Sequence, residues 1–230
     1  MKNGLPKRLE RVAAHVIAGK PMADIGTDHA QLPIALVRAG IVPSAIAMDV
    51  VDGPLATARS ATSGLRSQIE VRRSDGFAAL GAGEAASVCL CGMGGRTMAR
   101  ILENGSSIWL QSERLILQPQ GRADEVRSVM LGRGWDCIMG EIVEDRGKLF
   151  TIEVWEQANG AVVWSDSDLR WGKSIRERPD PLFATWLERE LKDMDIALQR
   201  MMDSGASDHP KAALARRSRA VIQQERDRLL

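Results

Sequence analysis

The sequence has few of the residues that mark disulfide-bonded or metal-binding proteins. Its 230 residues include three cysteines, three histidines and no tyrosine. Three cysteines form no disulfide framework, which fits a reducing compartment such as the cytoplasm. The cysteines and the scattered histidines also supply too few ligands for a metal site. We therefore expect a cytoplasmic protein that holds no metal ion.

Long apolar runs and a strong net charge are also absent. No run approaches the length of a membrane span, and residues 1–6 lack the apolar core of a signal peptide, so we expect no membrane attachment. The net charge of +1 excludes a globally basic nucleic-acid binder, so any nucleic-acid contact must rest on local patches. The chain is long enough for one sizeable α/β domain and a small appendage.

The segment from Met22 to Pro33 predicts a short buried strand, a turn at Gly26 and the start of a helix. Ligands bind at such a turn in an open α/β sheet, because backbone N–H groups and the positive end of the helix dipole meet there. A dinucleotide fingerprint needs two more glycines, but Asp28 and Ala30 hold those positions. With Asp24, this acidic turn favours the cationic S-adenosylmethionine over a pyrophosphate. The alternative is an ordinary turn in which Asp28 caps the helix.

Two further acidic positions follow the next two predicted strands. Asp49 ends the strand Ser44–Asp49, about 20 residues after the glycine turn, where a ribose-binding acid stands in nucleotide-binding folds. Asp75 follows the strand Ile69–Arg72, in position to accept from the amino group of a cofactor adenine, with Phe77 against the ring. The alternative for the Asp75-Gly76 pair is a plain turn.

A second glycine-rich segment follows the fourth predicted strand, Ala86–Cys91. Gly92–Gly95 is predicted as a turn before a helix over Arg96–Glu103, and its glycines allow close approach of the backbone. If the first and fourth strands are neighbours, the two glycine turns face each other. One side would then hold the cofactor and the other the acceptor.

The remaining segments complete a sheet of the Rossmann-like class I methyltransferase type. We predict helices over 6–18, 32–39, 54–63 and 123–131, a fifth strand over 114–119, and a β-hairpin formed by 135–144 and 149–157. Strands that alternate with helices and end in an antiparallel hairpin describe this fold class.

The polar segment 159–168 predicts a boundary between a methyltransferase domain, 1–158, and a linker with a helical domain, 159–230. The tail has a seam of apolar residues at alternating spacings of four and three, which is typical of a coiled coil: Leu187, Leu191, Met194, Leu198 and Met201. The last helix is predicted over 212–230, with an apolar inner set: Leu214, Val221, Ile222 and Leu229. The two helices predict an antiparallel α-helical hairpin.

Four blocks of sequence carry a resemblance to a known family. They are Asp-Ile-Gly-Thr-Asp-His-Ala-Gln-Leu-Pro at 24–33, Gly-Met-Gly-Gly at 92–95, Leu-Ile-Leu-Gln-Pro at 115–119 and Gly-Lys at 147–148. In these blocks the chain resembles the bacterial tRNA (adenine-22 N1)-methyltransferases, and the match extends more loosely through the helical tail. The chain departs from the family pattern with Thr27 for Ser, Asp49 for Glu, Gln120 for Asn and Phe150 for Tyr.

The resemblance implies a class I fold, S-adenosylmethionine as methyl donor, and N1 of an adenine in the tRNA D-loop as acceptor. It also implies that the helical tail helps to hold tRNA. Two alternatives stay open: a methyltransferase that acts on a small molecule or a protein, and a non-catalytic RNA-binding module. We expect a monomer, although the sequence leaves open whether the tail forms dimers.

The candidate residues fall into three groups. The catalytic group, in which Asp28 would accept from the N6 amino group of the target adenine, is Asp28, Gly92, Met93 and Gly94. The cofactor-binding group is Asp24, Gly26, Asp28, His29, Asp49, Asp75, Gly76 and Cys91. The RNA-binding group, for which solvated helix faces are the alternative, is Lys7, Arg8, Arg11, Arg216, Arg217 and Arg219. Because tyrosine is absent, stacking on the target base must come from Phe77, a tryptophan or Met93.

Overall fold

The structure, a computed structural model, describes residues 4–179, 181–205 and 209–230. Seven strands form one sheet in the order β3-β2-β1-β4-β5-β7-β6. The strands are β1 Met22–Ile25, β2 Ala45–Asp49, β3 Ile69–Arg73, β4 Ser87–Gly94, β5 Arg114–Gln120, β6 Trp135–Asp145 and β7 Lys148–Gln157. This is the predicted methyltransferase sheet, and the predicted strands are all present.

Helices connect and cover the strands. They are α1 Lys7–Ala14, α2 Gln31–Arg38, α3 Asp52–Ala61, α4 Gly95–Asn104, α5 Ser106–Trp109, α6 Ala123–Gly132, α7 Asp166–Trp171, α8 Lys173–Glu177, α9 Pro181–Asp203 and α10 Pro210–Asp227, with a 3₁₀ turn at Ser63–Leu65. Among the residues with described positions, no helix is both long and apolar enough to cross a membrane.

Strand β1 lies at the point where the strand order reverses. It pairs in parallel with β2 on one side and with β4 on the other, and all four of its residues are buried. The expected adjacency of the first and fourth strands is therefore confirmed. Loops at the carboxyl ends of neighbouring parallel strands meet at one edge of a sheet, which brings the loops after β1, β2 and β4 together.

The core has two layers, one on each face of the sheet. On one face α4, α5 and α6 contribute Met98, Leu102, Trp109, Val126 and Met130. On the other face α1, α2 and α3 contribute Val12, Leu32, Leu36 and Ala58. Alternate residues of β4 and β5 feed the two layers, and this alternation decides which polar side chains face α1.

The final hairpin is antiparallel, as predicted, and its turn lies at Arg146 and Gly147. Both turn residues have positive φ angles, 52° and 75°. Two central residues in this conformation match the twist of the flanking strands, so glycine suits the second position.

Two predicted boundaries differ in the structure. The helix predicted over 6–18 ends at Ala14, because the next residues bond to the sheet side: the N–H of Ile17 donates to Ser87 Oγ at 3.0 Å and that of Gly19 to the carbonyl of Ile41 at 2.7 Å. The turn predicted over Gly92–Gly95 is instead the end of β4 with a bulge. The register shifts between Cys91 and Met93, and Met93 and Gly94 still pair with β5.

Contacts divide the chain into a unit that ends at Arg176 and a unit that begins at Glu177, so the division falls later than the predicted boundary after residue 158. The physical reason is Arg127 of α6. Its Nη1 donates to the carbonyls of Leu169 and Arg170, both at 2.7 Å, and this ties α7 to the first unit.

The second unit contains the two long helices α9 and α10, and one predicted face is wrong. Leu214 and Val221 of α10 are 68% and 41% exposed. The buried residues of this helix are Ala212, Ile222 and Glu225, and Arg219 donates to Asp195 of α9. The face toward α9 is therefore set by small, charged and apolar residues together, so the apolar pattern alone misplaced it.

Candidate active site

Strand β1 carries a buried carboxylate next to its carboxyl end. Asp24 is 6% exposed, and Thr27 Oγ1 donates to its Oδ2 at 2.7 Å. Burial raises the pKa of Asp24 to about 6, although the hydrogen bond from Thr27 lowers it. Within the described chain, no donor bonds to Oδ1 of Asp24. This oxygen can therefore accept from a cationic ligand group.

The backbone of the loop after β1 is fastened to β2. The N–H groups of Gly26 and Thr27 both donate to the carbonyl of Met48 at 2.8 Å. Gly26 has a φ of 75°, which favours glycine. These two N–H groups are consequently not available to a ligand, contrary to what the turn alone suggests.

Asp28 is exposed at the mouth of the cleft. Its side chain is 72% exposed, and its Oδ1 lies 3.0 Å from Nε2 of His29. His29 and Ala30 have consecutive positive φ angles of 59° and 55°, which turn the chain sharply before α2. Helix α2 has no side-chain cap, so the alternative of Asp28 as a helix cap is wrong.

The end of β4 covers the β1 loop. A Cβ on Gly26 would lie 2.9 Å from Cε of Met93, so the Met93 side chain reaches over Gly26. Gly92 has a φ of 78°, and Gly94 is exposed with no neighbour where its Cβ would stand. The turn at Gly26 and the segment Gly92–Gly95 therefore meet. The backbone at Gly94 has open space beside it.

Strands β2 and β3 contribute two more acids at the same edge. Asp49 is half-buried, and its Oδ1 accepts the N–H of Val51 at 2.8 Å. Asp75 is exposed and, with Gly76, borders a cavity of about 330 Å³ that Arg100 and Asn104 also line.

The structure limits the choice of a stacking residue. Phe77 is 2% exposed and lies in the core, and a Cβ on Gly105 would come within 2.3 Å of its ring. Phe77 nevertheless lines the cavity that Asp75 and Gly76 border, so its expected contact with an adenine ring stays a prediction. Four tryptophans of the first unit are also buried, namely Trp109, Trp135, Trp155 and Trp171. Trp164 stacks on Trp155 with centroids 5.5 Å apart. Met93 lies against Gly26 at the end of β1, and its role in stacking stays a prediction.

The basic residues of α1 do not form one patch. Lys7 is exposed, whereas the Arg11 fork donates to Glu141 of β6 at 2.8 and 3.0 Å. Arg8 instead donates from Nη1 to Oε1 of Gln118 at 3.2 Å.

Gln118 is fully buried on β5 and was missed by the sequence analysis. The available signal was a polar residue directly after the apolar run Leu115–Leu117 and within the predicted strand.

In the second unit, Arg216 and Arg217 are exposed, and Arg219 is paired with Asp195. The RNA-binding assignment of these side chains stays a prediction. No group of three or more potential metal ligands occurs in the described parts of the chain.

The residues of the cleft fit a cationic nucleoside without phosphate. Three acids lie at or near the carboxyl ends of three strands: Asp24 is the penultimate residue of β1, Asp49 ends β2, and Asp75 follows β3 after one residue. The bulged end of β4 leaves open backbone at Gly94. Carboxylates suit a sulfonium, an ammonium and ribose hydroxyls, and they repel a pyrophosphate. The site therefore has the donors and acceptors that S-adenosylmethionine requires.

Comparisons with known proteins agree with this geometry. Residues 5–152 match the family model described as a methyltransferase domain. A curated tRNA (adenine(22)-N(1))-methyltransferase from Bacillus subtilis (strain 168) is 38% identical over 173 residues, which are 74% of this chain and 73% of that protein.

Two solved structures are similar over almost the whole chain. Streptococcus pneumoniae Sp1610 in complex with S-adenosyl-L-methionine has a TM-score of 0.86 at 34% identity, covering 96% of this chain and 99% of that one. The B. subtilis m1A22 tRNA methyltransferase TrmK has a TM-score of 0.84 at 30% identity, covering 98% of both chains.

Proposed function

The chain belongs to the tRNA (adenine(22)-N(1))-methyltransferase family, and we propose that it methylates N1 of adenine 22 in the tRNA D-loop with S-adenosylmethionine as donor. The observation that carries this proposal is the acid-bearing cleft at the ends of β1 and β2, which the glycine bulge of β4 closes on one side. The cleft combines a place for a cationic donor with an open shelf for a base.

The chemistry demands little proton transfer from the protein. S-adenosylmethionine supplies an electrophilic methyl group, whose carbon bonds to N1 while the C–S electron pair returns to sulfur. The lone pair on N1 is present in the neutral base, so no prior deprotonation is needed. The chain contributes alignment and electrostatic stabilisation.

Each of three acidic residues near the strand ends binds a different group of the donor. Asp24 accepts from its amino group, Asp49 from the ribose hydroxyls and Asp75 from the adenine amino group. The backbone of Gly26, Gly76 and Cys91 approaches the donor closely. His29 and Asp28 lie at the open side of the cleft.

The acceptor residues hold a base that has left its stack. Target adenines must be extruded before an enzyme can reach their Watson–Crick edge. Gly92, Met93 and Gly94 line the slot, and Asp28 accepts from the N6 amino group. The Asp28 carboxylate also stabilises the positive charge that develops on the base. Nε2 of His29 lies 3.0 Å from Oδ1 of Asp28.

Methylation of an unmodified tRNA transcript tests the function. The protein and S-adenosylmethionine are expected to produce a primer-extension stop at position 22. A transcript with guanine at that position is the matched control. Equal methylation of both transcripts, or of neither, would contradict the proposal.

The role of Asp28 is tested with Asp28→Ala. Loss of methylation with S-adenosylhomocysteine affinity within about tenfold is expected, since the side chain is exposed and its proposed partner is the acceptor base. Glu113→Ala is the control, because Glu113 is exposed and precedes β5 at the opposite edge of the sheet. Complete loss of binding in calorimetry would move Asp28 to a cofactor role, and unchanged turnover would remove it from the mechanism.

A further inference from the structure

Gln120 places an amide beside the slot that Gly92, Met93 and Gly94 line. It is the last residue of β5 and pairs with Gly94 of β4. The residue is exposed, and its Nε2 lies 3.9 Å from the place that a Cβ on Gly92 would take. A Cβ on Gly94 would meet nothing within 4 Å. The amide of Gln120 therefore borders open space in the slot.

The two glutamines at the end of β5 differ in what their amides bind. Gln118 lies on the same face of the strand and is fully buried. Its Oε1 accepts from Arg8 at 3.2 Å, and its Nε2 donates to the carbonyl of Pro119 at 3.4 Å. In the described parts of the chain, no hydrogen bond forms to the side chain of Gln120. Gln118 therefore links α1 to β5, whereas the donor and the acceptor of Gln120 remain for a ligand.

The backbone that carries Gln120 is held in place on both sides. The residue itself belongs to the ladder with β4, and the carbonyl of the next residue, Gly121, accepts the N–H of Gly95 at 3.1 Å. A side chain on such a support has little backbone freedom to lose when a ligand binds. The amide is thus prepositioned at the edge of the slot.

Gln120 and Asp28 flank the slot from opposite sides. Strand β4 lies between β1 and β5, Asp28 follows β1, and Gln120 ends β5. Neighbouring strands are about 4.8 Å apart, so the ends of β1 and β5 are separated by about 10 Å. A purine in the slot can therefore contact both side chains.

The reaction leaves the Hoogsteen edge of adenine for recognition. N1 must face the methyl group of the donor, so no protein group can hydrogen bond to it. The N6 amino group has two hydrogens, one beside N1 and one beside N7, and Asp28 is the proposed acceptor for the first. The second hydrogen and N7 form the edge at which a glutamine amide binds adenine with two hydrogen bonds. Extruded bases of RNA are recognised at this edge as well as at the Watson–Crick edge.

We propose that Gln120 selects the target adenine at its Hoogsteen edge, where Oε1 accepts from the N6 amino group and Nε2 donates to N7. This inference rests on the proposed function and adds to it a residue that determines base specificity. Guanine presents two acceptors at the same edge, O6 and N7. Either orientation of the amide sets Oε1 against one of them, which disfavours guanine in the slot.

Two tRNA transcripts test the assignment. One has adenine at position 22, and the other has 7-deazaadenine there, in which a C–H group replaces N7 while N1 and the amino group are kept. The measured quantity is the ratio of kcat/KM on the adenine transcript to kcat/KM on the 7-deazaadenine transcript. This ratio is expected to be about 3- to 10-fold higher for wild type than for Gln120→Met, the range for one hydrogen bond between neutral groups. Comparing the two proteins removes the intrinsic difference in reactivity between the two bases.

Three further measurements sharpen the result. Gln120→Met is expected to lose about 5- to 100-fold in kcat/KM on the adenine transcript, because both hydrogen bonds are lost. Gln120→Glu sets an ionised oxygen against N7, so its ratio is expected to fall below that of Gln120→Met. Gln111→Met, at an exposed glutamine that precedes β5, is the matched control and is expected to keep the wild-type ratio. Calorimetry with S-adenosylhomocysteine is expected to give each variant an affinity within about twofold of wild type, which shows that it is folded.

Three outcomes would overturn the assignment. Equal ratios for wild type and Gln120→Met would show that Gln120 does not contact N7. Wild-type kcat/KM of Gln120→Met on the adenine transcript would show that the amide contributes nothing to the reaction. Gln120→Glu, which keeps the shape of the side chain, decides in the same way if Gln120→Met does not fold. Methylation of neither transcript by wild type would overturn the proposed function together with this inference, whereas the first two outcomes leave that function intact.

Discussion

At the scale of single residues, the cleft gives two aspartates four positions apart opposite environments. Asp24 is 6% exposed and Asp28 has a side chain that is 72% exposed. Ionising a buried carboxylate costs free energy that an exposed one does not pay. Burial therefore destabilises the ionised form of Asp24, the form that attracts the donor. Binding of a cationic ligand stabilises this form.

This cost predicts that Asp24→Asn stabilises the empty protein at high pH. Because the folded pKa of Asp24 is raised from 3.8 to about 6, the folded state holds the extra proton between these values. The stability from this group is full below the unfolded pKa and is lost as the pH rises through the folded one. At pH 8 the variant is expected to gain up to about 3 kcal/mol in urea unfolding.

The pH dependence separates this effect from a simple change in packing. The gain of Asp24→Asn over wild type is expected to shrink between pH 8 and pH 5, where wild type is largely protonated at this position. The amide oxygen still accepts from Thr27, so the local hydrogen bond is kept. A gain that is the same at both values, or a loss at pH 8, would contradict the account.

Residue types at strand ends could be predicted, but side-chain directions could not. Asp24, Asp49 and Asp75 were placed at one edge because the order of strands and turns is visible in the chain. The inward turn of Arg8 depends on how α1 packs on the sheet, which helical spacing does not specify. The close packing of Phe77 against Gly105 could not be predicted for a similar reason, since Gly105 lies 28 positions further along and no local pattern links the two residues.

At the scale of elements, the start of α4 is fixed by a contact that only glycine permits. A Cβ on Gly95 would lie 2.2 Å from the carbonyl oxygen of Gly121 and 2.4 Å from that of Arg122. The N–H of Gly95 donates to the same Gly121 oxygen at 3.1 Å. The β4–α4 and β5–α6 junctions are thus pressed together beside the acceptor slot.

Gly95→Ala is expected to destabilise the protein by about 3 kcal/mol or more, because backbone cannot move aside as a side chain can. Gly53→Ala is the matched control. Gly53 lies within α3 and has open space where a Cβ would stand, so the same change is expected to be neutral or stabilising by up to about 1 kcal/mol. Chemical denaturation measures the free energy of unfolding of both variants. Equal changes in the two variants would contradict a tight contact at Gly95.

A second element-scale feature is the buried ion pair between Arg127 of α6 and Glu153 of β7. Both side chains are almost fully buried, at 1% and 0% exposed. Arg127 Nε donates to Glu153 Oε1 at 2.7 Å, and Glu153 Oε2 accepts from Trp155 Nε1 at 3.3 Å. Through the α7 carbonyls, this pair joins three elements of the first unit.

Arg127→Met is expected to cost about 3–5 kcal/mol, because it leaves Glu153 buried without a counter-charge. The double variant Arg127→Met/Glu153→Leu is expected to cost less than the sum of the single variants by about 2 kcal/mol. Urea unfolding of the four proteins gives this coupling. Additive effects would mean that the pair is not coupled in the folded state.

Elements whose pattern is purely local were predicted well, and those shaped by distant partners were not. The parallel strands are continuous apolar runs, and the hairpin shows its turn residues, so both were visible in the sequence. The bulge at Gly92 depends on pairing with Pro119 and Gln120 of β5. In α10, Ile222 is buried whereas Leu214 and Val221 are exposed, a difference that apolar spacing alone does not encode.

At the scale of the whole molecule, the first unit has its own hydrophobic core on both faces of the sheet. The members given for both hydrophobic clusters belong to the first unit, from Leu5 to Trp164. The acids of the cleft also lie in this unit. Cofactor binding and folding are therefore expected to be separable from the helical hairpin.

A chain that ends at Arg176 is accordingly expected to fold and to bind S-adenosylhomocysteine within about threefold of the full chain. Its affinity for tRNA is expected to fall, with a shallower dependence on salt, since exposed arginines of α10 contribute phosphate contacts. In the full chain, Arg217→Gln is expected to reduce the log–log salt slope by about one, whereas Arg38→Gln on α2 is expected to leave it unchanged. If the shortened chain binds tRNA with the affinity and slope of the full one, the hairpin has no part in holding the substrate.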